Sequence, residues 1–526
     1  MEYDLNAIFK MEQSQTLLYI FLPFLLTWTL WRFWKFTVTP LLHPDRPREL
    51  PYLIPILGHG PAFFKSSDAL LFRASKYFGT KEPFAVTLFG STMYIVTHPQ
   101  HTVQVYKNDK TLSFDEFAQD LVRTNGYSNA AVRASYADQP KDKAGFPNPL
   151  GVSFGAFVRQ MHIHQLYPGE NLEVIEKQFI EWYEKNLTIQ ALQKACEGYL
   201  ITGGDEENIT IPLMHWISSY TTNAGGFAYF GDTLSFINPD LAKTFIEFDD
   251  VSWQVLYRYP AFLSSKMRST RMEIMKAFRE YLRLPQTERT GSVWLLNAME
   301  DEARAIGVAD EDIAVLYFNI YWLINTNTRK INFWLLAFLL CRNSSLIDCI
   351  RSETGPAFQG DILVDVAFLY NSCPTLDNVW HESLRLCSNA ASVRFIRDDT
   401  IIGGKHMHRG NRIMIPYRLL HFDENVYGAD VYSFHPERFA SGEEAKKDDP
   451  TRGPSWRPFG GGKSLCTGRY IAKRATLIFV ALVLRRFNIE IIGEPRLPEA
   501  DLGRPVLGIS GLKEGQDFLV KLTPRE

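Results

Sequence analysis

Cys466 is the residue best placed for chemistry. It stands in Phe459-Gly-Gly-Gly-Lys-Ser-Leu-Cys466-Thr-Gly468, and an apolar-rich helical run, residues 469–484, follows at once. A lone cysteine in a glycine-rich loop at a helix N-terminus favours the thiolate, because backbone N–H groups and the positive end of the helix dipole stabilise the anion. With no second cysteine nearby, such a thiolate serves as a nucleophile or as a metal ligand. A buried structural cysteine is the plainer alternative. The substring Gly-Gly-Lys-Ser also invites a phosphate-loop reading, which needs G-x-x-x-x-G-K-[ST] after a strand. The position five before Gly462 is Arg457, not glycine, which argues against it.

Two further constellations precede the cysteine. Glu382-Ser-Leu-Arg385 puts opposite charges three apart, on one face of a helix. Phe434-His-Pro436-Glu-Arg438-Phe439 stands between that pair and Cys466. Upstream, Trp322-x4-Asn327-Thr328-x4-Phe333-Trp334 lies inside a long apolar-periodic stretch.

The spacing F-x-x-G-x-x-x-C-x-G resembles the haem-binding signature of the cytochrome P450 family. The order E-x-x-R, F-x-P-x-R-F, cysteine loop matches the family as well, and the resemblance spans roughly residues 40–520. It implies haem b with Cys466 as axial ligand, a thiolate whose electron release to iron favours O–O cleavage. Phe459 would pack near the sulfur and keep water from it. Gly462 and Gly468 would let backbone pass close to the macrocycle. Glu382, Arg385 and Arg438 would join in a buried ion network, a poor source of stability but a good specifier of geometry. Arg394 matches the position that reaches a haem propionate. The position two before the cysteine, often basic in the family, is Ser464, with Lys463 adjacent. The family's W-x-x-x-R element is not evident near residues 150–165, where Arg159 and His162 are the substitutes at hand.

The string around Asn327 and Thr328 is similar to the subgroup holding sterol 7α-hydroxylase, sterol 12α-hydroxylase and prostacyclin synthase. The commoner family pattern has an acid before the threonine. An asparagine cannot supply a proton as a carboxylic acid does. The resemblance makes Thr328 and Asn327 the catalytic pair on the distal side, with the Thr328 hydroxyl passing protons. The subgroup includes both oxygen-inserting hydroxylases and an isomerase that uses no external electrons, and retention of Thr328 favours oxygen activation. Without the resemblance, both side chains read as local backbone-bonding groups of a helix.

The expected activity is a membrane-bound haem-thiolate monooxygenase that oxidises a lipophilic terpenoid, steroid-like or other secondary metabolite. The alternative is an isomerase or dehydratase acting on a peroxide or epoxide. A fungal biosynthetic-cluster enzyme is the nearest impression. No dinucleotide fingerprint G-x-G-x-x-G is present, so electrons would come from a separate NADPH-dependent cytochrome P450 reductase. Lys463, Arg469, Lys473 and Arg474 read equally as a docking face for such a donor or as a solvated helix face.

The elements that must position these residues follow from the rest of the chain. The 526 residues are 46% hydrophobic and 13% aromatic, ample for a large core. A net charge of −3 gives no reason to expect nucleic acid. Six cysteines without C-x-x-C spacing suit a reducing compartment. After a short segment 1–12, residues 13–34 read as a membrane anchor at the short end of the span needed, with Trp28, Trp31 and Trp34 as an interfacial belt. The acidic start and the absence of a small-residue cleavage site argue against a signal peptide. Arg32 at the end of the anchor, with Lys35, Arg46 and Arg48 after it, places the following domain in the cytosol, which the resemblance makes the cytosolic face of the endoplasmic reticulum, with a single pass. Residues 35–60, basic and rich in proline, read as an extended hinge. Residues 61–526 would form the catalytic domain: mainly α, with a minor β subdomain that opens with a helix-like run and the strand-like runs 84–88 and 93–96. Residues 310–340 form one long apolar-periodic stretch, 433–468 read as loop, and 487–522 as short strands with glycine turns.

Overall fold

The computed structural model describes residues 21–141, 145–195, 208–342, 345–440 and 449–525. The chain divides into two compact units.

The first unit comprises Met1–Lys65, Leu70–Ser113 and Val393–Ile415. Its sheet runs in the order Arg48–Glu49, Phe84–Leu88, Ser91–Ile95, Arg412–Pro416, Ala391–Ile396, Leu112–Ser113. Phe84–Leu88 and Ser91–Ile95 are an antiparallel hairpin that pairs Leu88 with Ser91. Its two-residue turn, Phe89-Gly90, has φ of 49° and 81°, the doubly positive geometry that matches strand twist. Arg412–Met414 runs parallel to Met93–Ile95, which brings two segments distant in sequence side by side. The strands contain Val, Ile, Thr, Tyr and Phe, residues suited to a pleated, half-buried surface.

At the N-terminus, residues 21–33 are helical and the helix continues as a π-turn, Trp34–Val38, then Thr39–Leu42. Helix therefore reaches well into the expected hinge, with Pro40 in the first turn of its last segment. Among the described residues no helix is long and apolar enough to cross a membrane. Residues 1–20, which hold the expected leading segment and the first part of the expected anchor, lie outside the described residues. Phe21, Leu22, Phe24, Leu25, Leu26 and Leu30 are all exposed.

The second unit comprises Ser66–Ala69, Phe114–Ser392 and Pro416–Glu526, and is mostly helical. Its axis is the 33-residue helix Asp310–Arg342, buried on nearly all sides through residues 331–339. A helix apolar all round has no solvent face and must be wrapped by others. Leu213–Phe230 crosses it closely. A Cβ on Gly225 would lie 2.2 Å from Asn325 Oδ1, so only glycine allows this approach. Arg469–Arg486, the helix that follows the cysteine loop, is buried without a break from Ala475 to Leu484. A three-stranded antiparallel sheet closes the C-terminal end, with Leu519–Pro524 between Phe487–Ile491 and Ile209–Pro212. The result is mainly α with small sheets.

Candidate active site

The cysteine loop is a chain of tight turns. Gly460 and Gly462 have φ of 79° and 59°, which L-residues rarely adopt. Gly462–Ser464 is a short 3₁₀ turn, and the Ser464 hydroxyl donates to Gly461 O at 3.0 Å. The loop closes where Cys466 N donates to Phe459 O at 2.9 Å. Phe459 thus shapes the cysteine through its backbone, while its ring faces Trp380 of the helix Pro374–Cys387 at 6.5 Å. Gly468 has an ordinary φ of −80° and caps the helix Arg469–Arg486. A Cβ there would meet Cys466 Sγ at 3.8 Å, an ordinary contact, so nothing within the chain requires glycine at this position.

The Cys466 side chain is solvent-accessible although it lies deep among protein atoms. Burial pushes its thiol up, and N–H groups of Gly468 and Arg469 together with the Arg469 charge oppose the shift. Those donors are the helix N-terminus expected to steady a thiolate.

Glu382 and Arg385 are completely buried. Arg385 Nε and Nη2 each donate to one Glu382 oxygen at 2.7 Å, a bidentate pair. Its remaining donors go to the carbonyls of His421, Val431 and Ser433, at 3.1, 2.7 and 3.3 Å. All five guanidinium protons are therefore used. Arg438 Nε reaches Glu382 Oε1 at 3.4 Å, so the three residues named from sequence form one network. His421 continues it toward the cysteine loop, because its Nε2 accepts from Arg457 N at 3.0 Å. Burial, and then the charges of Arg385, Arg418 and Arg457, hold the imidazole down to about 3, so it is neutral.

On the helix Asp310–Arg342, Thr328 Oγ1 donates to Ile324 O at 2.8 Å, and Asn327 Oδ1 accepts from Ile509 N at 3.0 Å. Arg394 lies in the first unit, buried on the strand Ala391–Ile396, with its guanidinium 5.6 Å from the Tyr106 ring centroid. The basic residues of the following helix are engaged within the chain. Arg469 lies over the rings of Tyr167 and Tyr470 and donates to Cys466 O, Lys473 pairs with Asp377, and Arg474 pairs with Glu176.

Sequence reasoning missed one cluster. Asp249, on the helix Leu241–Val251, is buried against Arg329 and Lys330, the two residues after Thr328. Thr326 Oγ1 and Trp322 Nε1 donate to the same carboxylate at 2.6 and 3.1 Å. The available signal was two cations inside an apolar helix pattern, which require a buried anion. Which of the chain's acids supplies it is a matter of tertiary path.

The residues fit a haem. A single soft sulfur, held by two backbone donors at a helix N-terminus, is the donor set of a thiolate-ligated iron. On the helix Phe154–Leu166, the Nε of Arg159 is buried with no hydrogen-bond partner among the described residues, a cation able to meet a propionate. That helix ends at Tyr167, whose hydroxyl accepts from Arg469 at 3.2 Å.

Comparison with known proteins agrees. The family model for cytochrome P450 matches residues 204–509, more than half of the chain. The chain is 25% identical over 470 residues to cytochrome P450 monooxygenase poxD of Penicillium oxalicum, covering 87% of this chain and 90% of that protein. It is 23% identical to cytochrome P450 monooxygenase nodJ of Hypoxylon pulicicidum, covering 92% and 91%. It is 24% identical to 5-beta-cholestane-3-alpha,7-alpha-diol 12-alpha-hydroxylase of Sus scrofa, covering 92% and 95%. With the cysteine loop, the buried glutamate–arginine pair and the long helix all in one unit, the chain belongs to the cytochrome P450 family.

Proposed function

We propose that this enzyme is a membrane-associated monooxygenase that uses dioxygen and electrons from an NADPH-dependent reductase to oxidise a lipophilic terpenoid or steroid-like metabolite at the endoplasmic reticulum. The cysteine loop is the observation that carries the haem chemistry. Full-length similarity to fungal monooxygenases and to a sterol hydroxylase supports the substrate class. The exposed apolar residues of the N-terminal helix, among them Phe21, Phe24 and Leu25, support membrane association.

A bound haem supplies redox-active iron for dioxygen activation. The chain's own part is to hold the Cys466 sulfur on the N–H groups of Gly468 and Arg469, and to keep the loop rigid through Phe459, Gly462 and the Glu382–Arg385–Arg438 network. Arg159 is the cation we assign to a propionate. The Thr328 hydroxyl donates to Ile324 O and keeps two acceptor lone pairs, so it can take up a proton, and it hands one on by turning its O–H away from that carbonyl. Asn327 stands beside it as an uncharged amide. That amide leaves a second reading open, a rearrangement of a peroxide or epoxide that draws no external electrons.

A carbon-monoxide difference spectrum of the reduced protein tests the haem ligation: the red-shifted Soret band of thiolate ligation is expected in the wild type and lost in Cys466→Ala. Turnover strictly dependent on NADPH, reductase and dioxygen, with Thr328→Ala releasing more hydrogen peroxide per NADPH, is the expected kinetic result. Turnover of an epoxide or peroxide without reductase would overturn the monooxygenase reading in favour of the second.

A further inference from the structure

The Asn327 side chain is committed to one short segment of chain. Its Oδ1 accepts the Ile509 N–H, and its carboxamide lies flat against Gly508: a Cβ on that glycine would sit 2.5, 2.7 and 2.8 Å from Oδ1, Cγ and Nδ2. Two helical turns further along the same face, Trp334 Nε1 donates to Ser510 O at 2.9 Å. The long helix therefore grips residues 508–510 at two points, one accepting and one donating. The opposite side of the segment is tied to the end of the helix Pro374–Cys387. Asn389 N donates to Gly508 O, and both Ser510 N and Ser510 Oγ donate to Cys387 O, each at 2.9 Å. Ser388 and Ile509 complete a β-bridge. Ile509 and Ser510 are buried, and Leu507 and Leu512 pack at the edge of the core.

We propose that Asn327 is a positioning residue: it clamps the 507–510 turn against the long helix beside Thr328 and so fixes the apolar surface that a substrate meets on the distal side. The proposal rests on the haem-thiolate reading of the same site. A carboxamide suits the task. It offers an acceptor to a buried N–H, which must be paired. Gly508 is the matching half of the device, since a side chain there would occupy the place of the carboxamide.

Spectral titration of the full-length, haem-loaded ferric protein with two probes tests the clamp. Imidazole is small and reports access to the iron. 4-Phenylimidazole is bulky and rigid and reports the shape of the distal surface. In Asn327→Ala the released turn must be ordered on binding, so 4-phenylimidazole is expected to weaken at least about fivefold while imidazole stays within about twofold. Asn327→Asp keeps an acceptor oxygen for Ile509 N and is expected to stay within about twofold of wild type for both probes. Gly508→Ala is expected to weaken 4-phenylimidazole as Asn327→Ala does, and the double variant to be no weaker than Asn327→Ala alone, because the clash has gone. Wild-type affinity for 4-phenylimidazole in Asn327→Ala, equal weakening of both probes, or Asn327→Asp behaving as Asn327→Ala would overturn the clamp. If Gly508→Ala does not fold, the two Asn327 variants decide. Loss of the thiolate Soret band in the wild type would instead refute the haem-thiolate reading, so the two failures are distinct.

Discussion

Asp249 and Arg329 meet as a buried ion pair across two helices, with Arg329 Nε and Nη2 at 2.9 and 2.6 Å from Asp249 Oδ2. Lys330 Nζ reaches the same oxygen at 2.9 Å, Asp250 takes a further Arg329 contact at 2.8 Å, and Ser218 accepts from Nη1 at 3.1 Å. Burial alone would push the Asp249 carboxyl up, but Lys330 and Arg329 outweigh it and hold the carboxyl far below the usual range. The cluster is one residue past Thr328, so it joins the helix Leu241–Val251 to the part of the long helix where chemistry is expected.

Removing one partner of such a cluster leaves charge uncompensated in the interior. Asp249→Ala is expected to lower stability by about 3–5 kcal/mol, while replacing Asp249, Arg329 and Lys330 together by apolar residues of similar volume is expected to recover most of the loss. Chemical denaturation of the three proteins measures this. An Asp249→Ala variant as stable as wild type would show that the cluster is not closed to water.

His421 sets an acid limit. Its folded value is lowered from 6.5 to about 3, by burial and then by Arg385, Arg418 and Arg457. Between these values the unfolded chain binds a proton that the folded one refuses, so stability is full above pH 6.5 and falls as pH drops toward 3, by about 1.4 kcal/mol per unit. Urea midpoints from pH 7 to 4 are expected to fall less steeply in His421→Asn, by the equivalent of one proton. An unchanged slope would assign the acid limit to other groups.

The glutamate–arginine pair depends on fork geometry as well as charge. Arg385→Lys keeps the cation but cannot reproduce five directed donors, and is expected to cost about 3 kcal/mol or more and most of the haem incorporated per chain. Haem content by absorbance, with denaturation of the same samples, checks both. Normal haem content in Arg385→Lys would mean that charge alone suffices.

Arg159 is expected to act on the cofactor and little on the fold, since its buried Nε has no hydrogen-bond partner among the described residues. Arg159→Ala is expected to speed haem transfer to an excess of apomyoglobin by about tenfold, while stability of the haem-free protein changes by no more than about 0.5 kcal/mol. Unchanged transfer would remove Arg159 from the propionate assignment.

Much of the site was legible because its parts are local. Glu382 and Arg385 are three apart on a helix, so their pairing follows from helical geometry once the helix exists. The Phe459–Cys466 turn is closed by glycines at 460 and 462 whose positive φ only that residue adopts freely. The long helix was read as residues 310–340 and runs Asp310–Arg342, because its periodicity is sustained over many turns. The hinge was harder: prolines at 44, 47, 51 and 55 signalled extended chain, but helix runs on to Leu42, with Pro40 in a first turn.

By itself, then, the sequence determined the cysteine loop, the glutamate–arginine pair and the family they mark, since spacing along a helix or a turn is set by covalent geometry and a few backbone angles. Tertiary structure alone decided which acid neutralises Arg329 and Lys330, what Asn327 holds, and that the buried Nε of Arg159 has no hydrogen-bond partner among the described residues. Asp249 and Ile509 are far from those residues along the chain, and only the packing of helices across a common core brings such groups within hydrogen-bond reach.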